Sequence, residues 1–343
     1  MKKFTFLALL SSFIFFSACS KDDSAAKIST INDVYISGNY VINNQNIACY
    51  WKNGIRVDLS QSNDDAYAHS IYVNNGDVYV TGDKYGQNSD NAVYWKNGQI
   101  NILSNNMSVA KGIFIKNNDV YIAGYELYAN QTEWTAKYWK NGVSVNLTNG
   151  NTEAIASSIY VFNNDVYVAG HQYDNFIKTA KYWKNGTPTS LNDFSTLNSI
   201  HINENIVYSC GYEAANSVNV TTGVFFKNIN KLNVSQNQNS SNCQDIEFSN
   251  NKVYVVGSEK NAQNTFVAKI WIDNVPTELS NLPSVSNGIS IKDNNFFICG
   301  TIKKDNTSIA NIPVFWKNNV LTELQSIPNT YNETIDIFVY KSN

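Results

Sequence analysis

Four residues at one repeated position are the leading candidates for chemistry in this chain: Glu126, Gln172, Glu213 and Glu259. Each stands two places after a glycine, namely Gly124, Gly170, Gly211 and Gly257. Carboxylates and an amide supply directional hydrogen bonds, while the nearby Tyr125 and Trp134 supply apolar faces on which a sugar ring or peptide side chain can rest. With His171, these residues form a candidate site for a glycan, a peptide or a protein surface. Two of the carboxylates, Glu126 and Glu213, could instead serve as acid and base of a glycoside hydrolase or lyase. His69 and His171 are weaker candidates for a base, because a lone histidine beside a strand end is more often a hydrogen-bonded loop residue. A third alternative is a structural component of an outer-membrane complex.

Composition narrows the partners. The chain carries 25 basic and 28 acidic residues, for a net charge of −3, and no basic stripe suited to nucleic acid. Arg56 is the only arginine and there are 3 histidines, so guanidinium clamps and multi-histidine metal centres have little to draw on. The 5 cysteines, Cys19, Cys49, Cys210, Cys243 and Cys299, show no Cys-x-x-Cys pair. Cys210 and Cys299 each precede a glycine where other repeats carry small residues, which suits buried packing. No cofactor and no metal are expected.

The positions of these side chains are set by a repeat of roughly 44 residues. Tyr50-Trp51-Lys52-Asn53-Gly54 recurs around Trp95, Trp139 and Trp183, then in looser form around Phe226, Trp271 and Trp316. A second phrase, of the Val78-Tyr79 to Gly82 type, keeps the same count, and apolar triplets such as Ile71-Tyr72-Val73 precede it. Each unit therefore offers four short strands. Asn74-Asn75-Gly76 and Asn53-Gly54 suit tight hairpins with positive φ, so neighbouring strands run antiparallel. The longer connections, between second and third strands and between units, then gather on one face, which holds the aromatic residues Tyr40, Tyr85, Tyr125, Tyr128, Trp134, Tyr173, Phe176 and Tyr212.

Strands apolar on both faces fit sheets packed between two others. The chain accordingly resembles the β-propellers over roughly residues 31 to 340, without the Trp-Asp ends of WD40 blades, the double glycine of kelch repeats or the Asp-box of sialidase-type propellers. The resemblance implies an all-β, seven-bladed antiparallel propeller and no particular activity. The first unit lacks an opening strand, and Ile337-Phe338-Val339 is a spare one at the other end. The C-terminal strand is expected to complete the N-terminal blade.

The N-terminus reads as a targeting signal. Lys2 and Lys3 precede an apolar run from Phe4 to Phe16 that is too short to span a bilayer. Phe16-Ser17-Ala18-Cys19 resembles a lipobox, which implies cleavage after Ala18 and lipidation of Cys19. Ser20-Lys21-Asp22-Asp23 resembles a surface-export signal of Gram-negative lipoproteins. The expected organisation is a signal peptide at 1–18, a lipidated tether at 19–30 and a propeller at 31–343, anchored in the outer membrane and exposed at the cell surface.

Overall fold

The computed structural model describes residues 32–86, 90–129, 131–193, 195–214, 220–234, 239–304 and 310–341. The expected signal peptide and lipidated tether, with Cys19, lie outside the described residues.

Asparagine does two jobs in every repeat. At the turn between third and fourth strands, Asn53, Asn97, Asn141, Asn185, Asn228 and Asn318 take φ between 47° and 56°, with Asp273 at 49°. The side-chain oxygen of each also accepts a backbone N–H near the start of the second strand, as in Val34 N to Asn53 Oδ1 at 2.8 Å and Val78 N to Asn97 Oδ1 at 2.8 Å. A short polar side chain that tolerates the left-handed region and caps a strand end is what this corner requires.

The strands assemble into seven four-stranded antiparallel sheets, each following chain order except the first. In that blade the C-terminal strand Asn332–Lys341 lies innermost, beside Asn32–Ile42, with Val34 opposite Val339 and Ile36 opposite Ile337. The ring is closed by the joining of the two chain ends, as the sequence predicts. Tight-turn and open faces differ as expected, with one exception: in blades one and four the second and third strands are joined by two-residue turns, Asn43-Asn44 and Asn175-Phe176. Those positions carry φ of 51°, 62°, 49° and 66°.

Sheet-to-sheet packing buries the repeated tryptophans. Trp51, Trp95, Trp139, Trp183, Trp271 and Trp316 are at most 1% exposed, and Phe226 takes the same place in blade five. They belong to the core between blades and not to a ligand platform.

Candidate functional site

A glycine within each second strand builds the centre of the molecule. A Cβ on Gly82 would overlap the carbonyl oxygen of Tyr67 and stand 2.8 Å from Trp95 Cζ3. The same clash with an inner-strand carbonyl would arise at Gly38, Gly124, Gly170, Gly211, Gly257 and Gly300. Opposite each glycine the inner strand carries a β-bulge, as between Ala68 and Ile71 or between Cys243 and Asp245. A bulge re-aims a side chain out of the ladder. Here the extra residues are His69, Lys111, Ser157, Asn198, Gln244, Asn287 and Ile335, one from each blade, and all seven line one cavity of about 300 Å³ on the propeller axis.

Below this polar chamber the middle residues of the apolar triplets form a chain of rings from blade to blade. Tyr72 meets Phe338 at 4.4 Å and Phe114 at 5.5 Å, Phe114 meets Tyr160 at 4.5 Å, and Tyr160 meets His201 at 4.8 Å. Burial lowers the His201 pKa to about 4. A wider depression of about 640 Å³ shares Gln244, Asn287 and Glu333 with the chamber. It also includes Gln263, Asn264, Thr265 and Lys303 from the open face, so the two cavities form a funnel opening there.

Inner strands are sheet edges, and their outward N–H groups need partners from the next blade. Buried acids provide several. Asp336 accepts from Ser70 Oγ at 2.6 Å and Ile71 N at 3.1 Å, Asp245 from Ser199 Oγ at 2.6 Å and Ile289 N at 2.8 Å, and Glu247 from Ile291 N at 2.9 Å. Burial raises all three carboxyls, that of Asp245 to about 7 despite its donors.

Charge on the chamber wall is divided. The His69 ring lies 2.7 Å from Asp83 Oδ1 through Nε2, and burial foremost lowers its pKa. Lys111 forms no ion pair among the described residues. Burial lowers its pKa, against the opposing influence of Asp83 and Glu333. Burial raises Glu333, which is hydrogen-bonded to Tyr331.

The residues singled out from sequence lie elsewhere. Glu126 and Glu259 are 3% and 4% exposed, and neither lines the chamber. Glu126 accepts from Lys137, from Asn106 Nδ2 at 2.5 Å and from Ser104 Oγ at 2.8 Å. Burial raises its carboxyl, but these donors outweigh it and hold the net pKa below the usual range. Glu259 accepts from Lys269 at 2.6 Å, Glu213 from Lys231 at 2.8 Å and Asn192 at 2.7 Å, and Gln172 from Lys181 at 3.1 Å. Lys137, Lys181 and Lys269 stand directly opposite Gly124, Gly170 and Gly257 on the third strand, so the residue two places on meets the lysine diagonally. Each of these four side chains is therefore paired with a lysine of its own blade. His171 is 7% exposed, its Nδ1 lies 2.7 Å from Thr196 Oγ1, and burial lowers its pKa to about 4.

The aromatic positions divide: Tyr40 is buried, while others reach the open face. Tyr125 and the half-buried Trp134 pack edge to face at 5.0 Å. Phe176 is 100% exposed at a left-handed turn position where a glycine would be unstrained. Cys49, Cys210, Cys243 and Cys299 are buried free thiols.

No family model and no curated protein matches the chain. Among solved structures it is similar to a puromycin-hydrolyzing peptidase of Mycobacterium tuberculosis, at TM-score 0.53 and 9% identity, over 85% of this chain and 53% of that one. It is also similar to the Pyrococcus horikoshii acylaminoacyl peptidase, at TM-score 0.51 and 8% identity, over 86% of this chain and 50% of that one. A Trypanosoma rangeli sialidase in complex with sialic acid follows at TM-score 0.47 and 9% identity, over 78% and 56%. The chain spans about half the length of these proteins, and the likeness is one of fold.

Proposed function

We propose that this protein is a non-catalytic binding protein that receives a glycan, a peptide or a protein on its open face, with the axial funnel at the centre of the site. One observation carries this reading. The seven bulge positions hold six kinds of side chain, all but Ile335 polar, on a framework that is otherwise repeated, and they converge on one cavity. A regular scaffold with one variable ring facing solvent is the arrangement of a recognition surface. Tyr125, Trp134 and Phe176 add apolar rim contacts, while Gln172 and Glu213 offer polar ones. Glu126 and Glu259 act by fixing the hairpins that carry the rim.

We place the protein at the cell surface, held in the outer membrane through lipid at Cys19. The lipobox-like sequence supports this, and intact mass of the purified mature protein tests it: a diacylglycerol-bearing N-terminal Cys19 is expected, and an unmodified cysteine there overturns the anchor. The binding reading is tested on glycan and peptide arrays with the purified chain, with bound ligands recovered and weighed. Binding of an intact ligand is expected. Release of cleaved products would replace the binding reading with that of a hydrolase or lyase, and an empty array would remove glycans and peptides as ligands.

A further inference from the structure

The chamber at the inner end of the funnel carries two opposite charges that face the same space without meeting, Lys111 on its wall and Glu333 where it joins the wider depression. Lys111 comes from the bulge of blade three and Glu333 from the opening of the C-terminal strand in blade one, so a whole blade stands between them. They are more than 4.0 Å apart, since no ion pair joins them, yet near enough for each to shift the ionisation of the other. Desolvated charges of opposite sign are costly to hold apart unless something bridges them. Around them the wall offers short neutral donors and acceptors, Ser157, Asn198, Gln244 and Asn287.

We propose that the chamber binds a small zwitterion of the α-amino-acid type, its carboxylate on Lys111 and its ammonium on Glu333. The inference rests on the reading of the funnel as a binding site and names what occupies its base. An α-amino acid carries both charges on one carbon, so it can bridge a lysine and a carboxylate that cannot reach one another. Its side chain then points up the funnel, where Tyr331 and Phe266 line the wider depression. A volume of about 300 Å³ admits a molecule of this size and excludes a folded partner. A zwitterion also leaves the charge of the chamber unchanged, whereas an anion would face Glu333 and a cation would face Lys111.

Titration calorimetry on the purified full chain tests this with alanine, leucine and glutamine against propionate, propylamine and glycerol. At least one amino acid is expected to bind ten-fold or more tightly than propionate or propylamine. Lys111→Met and Glu333→Gln should each weaken that ligand at least ten-fold, with the melting temperature recorded for each. The exchange Lys111→Glu with Glu333→Lys should recover most of the binding, because the ligand can turn round; this variant separates lost recognition from a damaged fold. No binding at millimolar concentration, equal binding of propionate, or single variants that bind as the parent does would each overturn the zwitterion. If the amino acids fail while a glycan or peptide binds the array, this inference falls and the binding reading stands. If both fail, this inference falls and the binding reading is left with a protein as its ligand.

Discussion

Ser70 donates a 2.6 Å hydrogen bond to Asp336, fastening the inner strand of the second blade to the last strand of the chain. Ile71 N adds a second bond to the same carboxylate. The contact sits next to the seam where the ring closes, and it makes the C-terminal strand a partner of two blades at once. Removing residues 335 to 343 therefore takes away Asp336, the Ile337 and Val339 partners of blade one, and the closure itself. The melting temperature should fall by more than about 10 °C, equivalent to several kcal/mol in a chain this long. Differential scanning calorimetry decides it, and an unchanged transition would refute the seam.

Two glycines in the second repeat should respond very differently to the same change. Gly82→Ala drives a methyl into the Tyr67 carbonyl and toward Trp95, so a loss of about 3 kcal/mol or more is expected. Gly98→Ala places its methyl in open space at φ 80°, where only the backbone conformation is strained, about 1–2 kcal/mol. Urea denaturation of the two variants should give that order. The reverse would mean that the bulge is not held by the glycine.

Trp134 and Trp139 stand close in sequence and apart in role. Trp139 is 1% exposed between blades, so Trp139→Ala should cost roughly 3–5 kcal/mol through the cavity it leaves. Trp134 rests its edge against Tyr125 on the open face, and Trp134→Ala should cost no more than about 1.5 kcal/mol of stability. A variant pair with the opposite ranking in thermal melts would show that core and rim have been exchanged.

His201 is held neutral by burial beside Tyr160, with a pKa near 4 against 6.5 when free. A base whose folded pKa is lowered contributes its full stability above the unfolded value and loses it as pH falls toward the folded one. The loss should therefore accrue between pH 6.5 and about 4 and reach up to about 3 kcal/mol. His201→Phe should remove it. Other groups contribute equally to both proteins, so the quantity to follow is the difference in stability between parent and variant across that range. A difference independent of pH would mean that His201 has the same pKa folded and unfolded, so that burial does not hold it neutral.

How much of this could be read from sequence depends on whether the feature is local. The hairpin turns are written in Asn53-Gly54 and its copies, and the closing strand in Ile337-Phe338-Val339, because turn chemistry and alternation act over a few residues. The lysine partners of the carboxylates were not legible because they lie at unequal separations along the chain: Lys137 is 11 residues from Glu126, Lys231 18 from Glu213 and Lys269 10 from Glu259. No fixed spacing marks those pairs. The axial ring was missed because a bulge shifts register, and a one-residue shift reverses which side chains face inward. A signal was nonetheless present: Ala68-His69-Ser70-Ile71, Ala110-Lys111-Gly112-Ile113 and Ala156-Ser157-Ser158-Ile159 keep the alanine, a small residue and the isoleucine in place while the second position changes from His to Lys to Ser.

Asn32 pairs with Lys341 and donates to Asp293 in a tight turn of the neighbouring blade, so the chain enters and leaves the disk on the face opposite the funnel. A resin or a fused reporter attached directly at Asn32 or Lys341 therefore meets that blind side. Immobilised through its termini, the molecule stands with its mouth toward the solution, and a ligand in the medium approaches without passing the support. Joining those two neighbouring ends and cutting a surface turn elsewhere would give a permuted chain whose new termini could be placed at the mouth, converting the same disk into one that reports on, or blocks, its own opening.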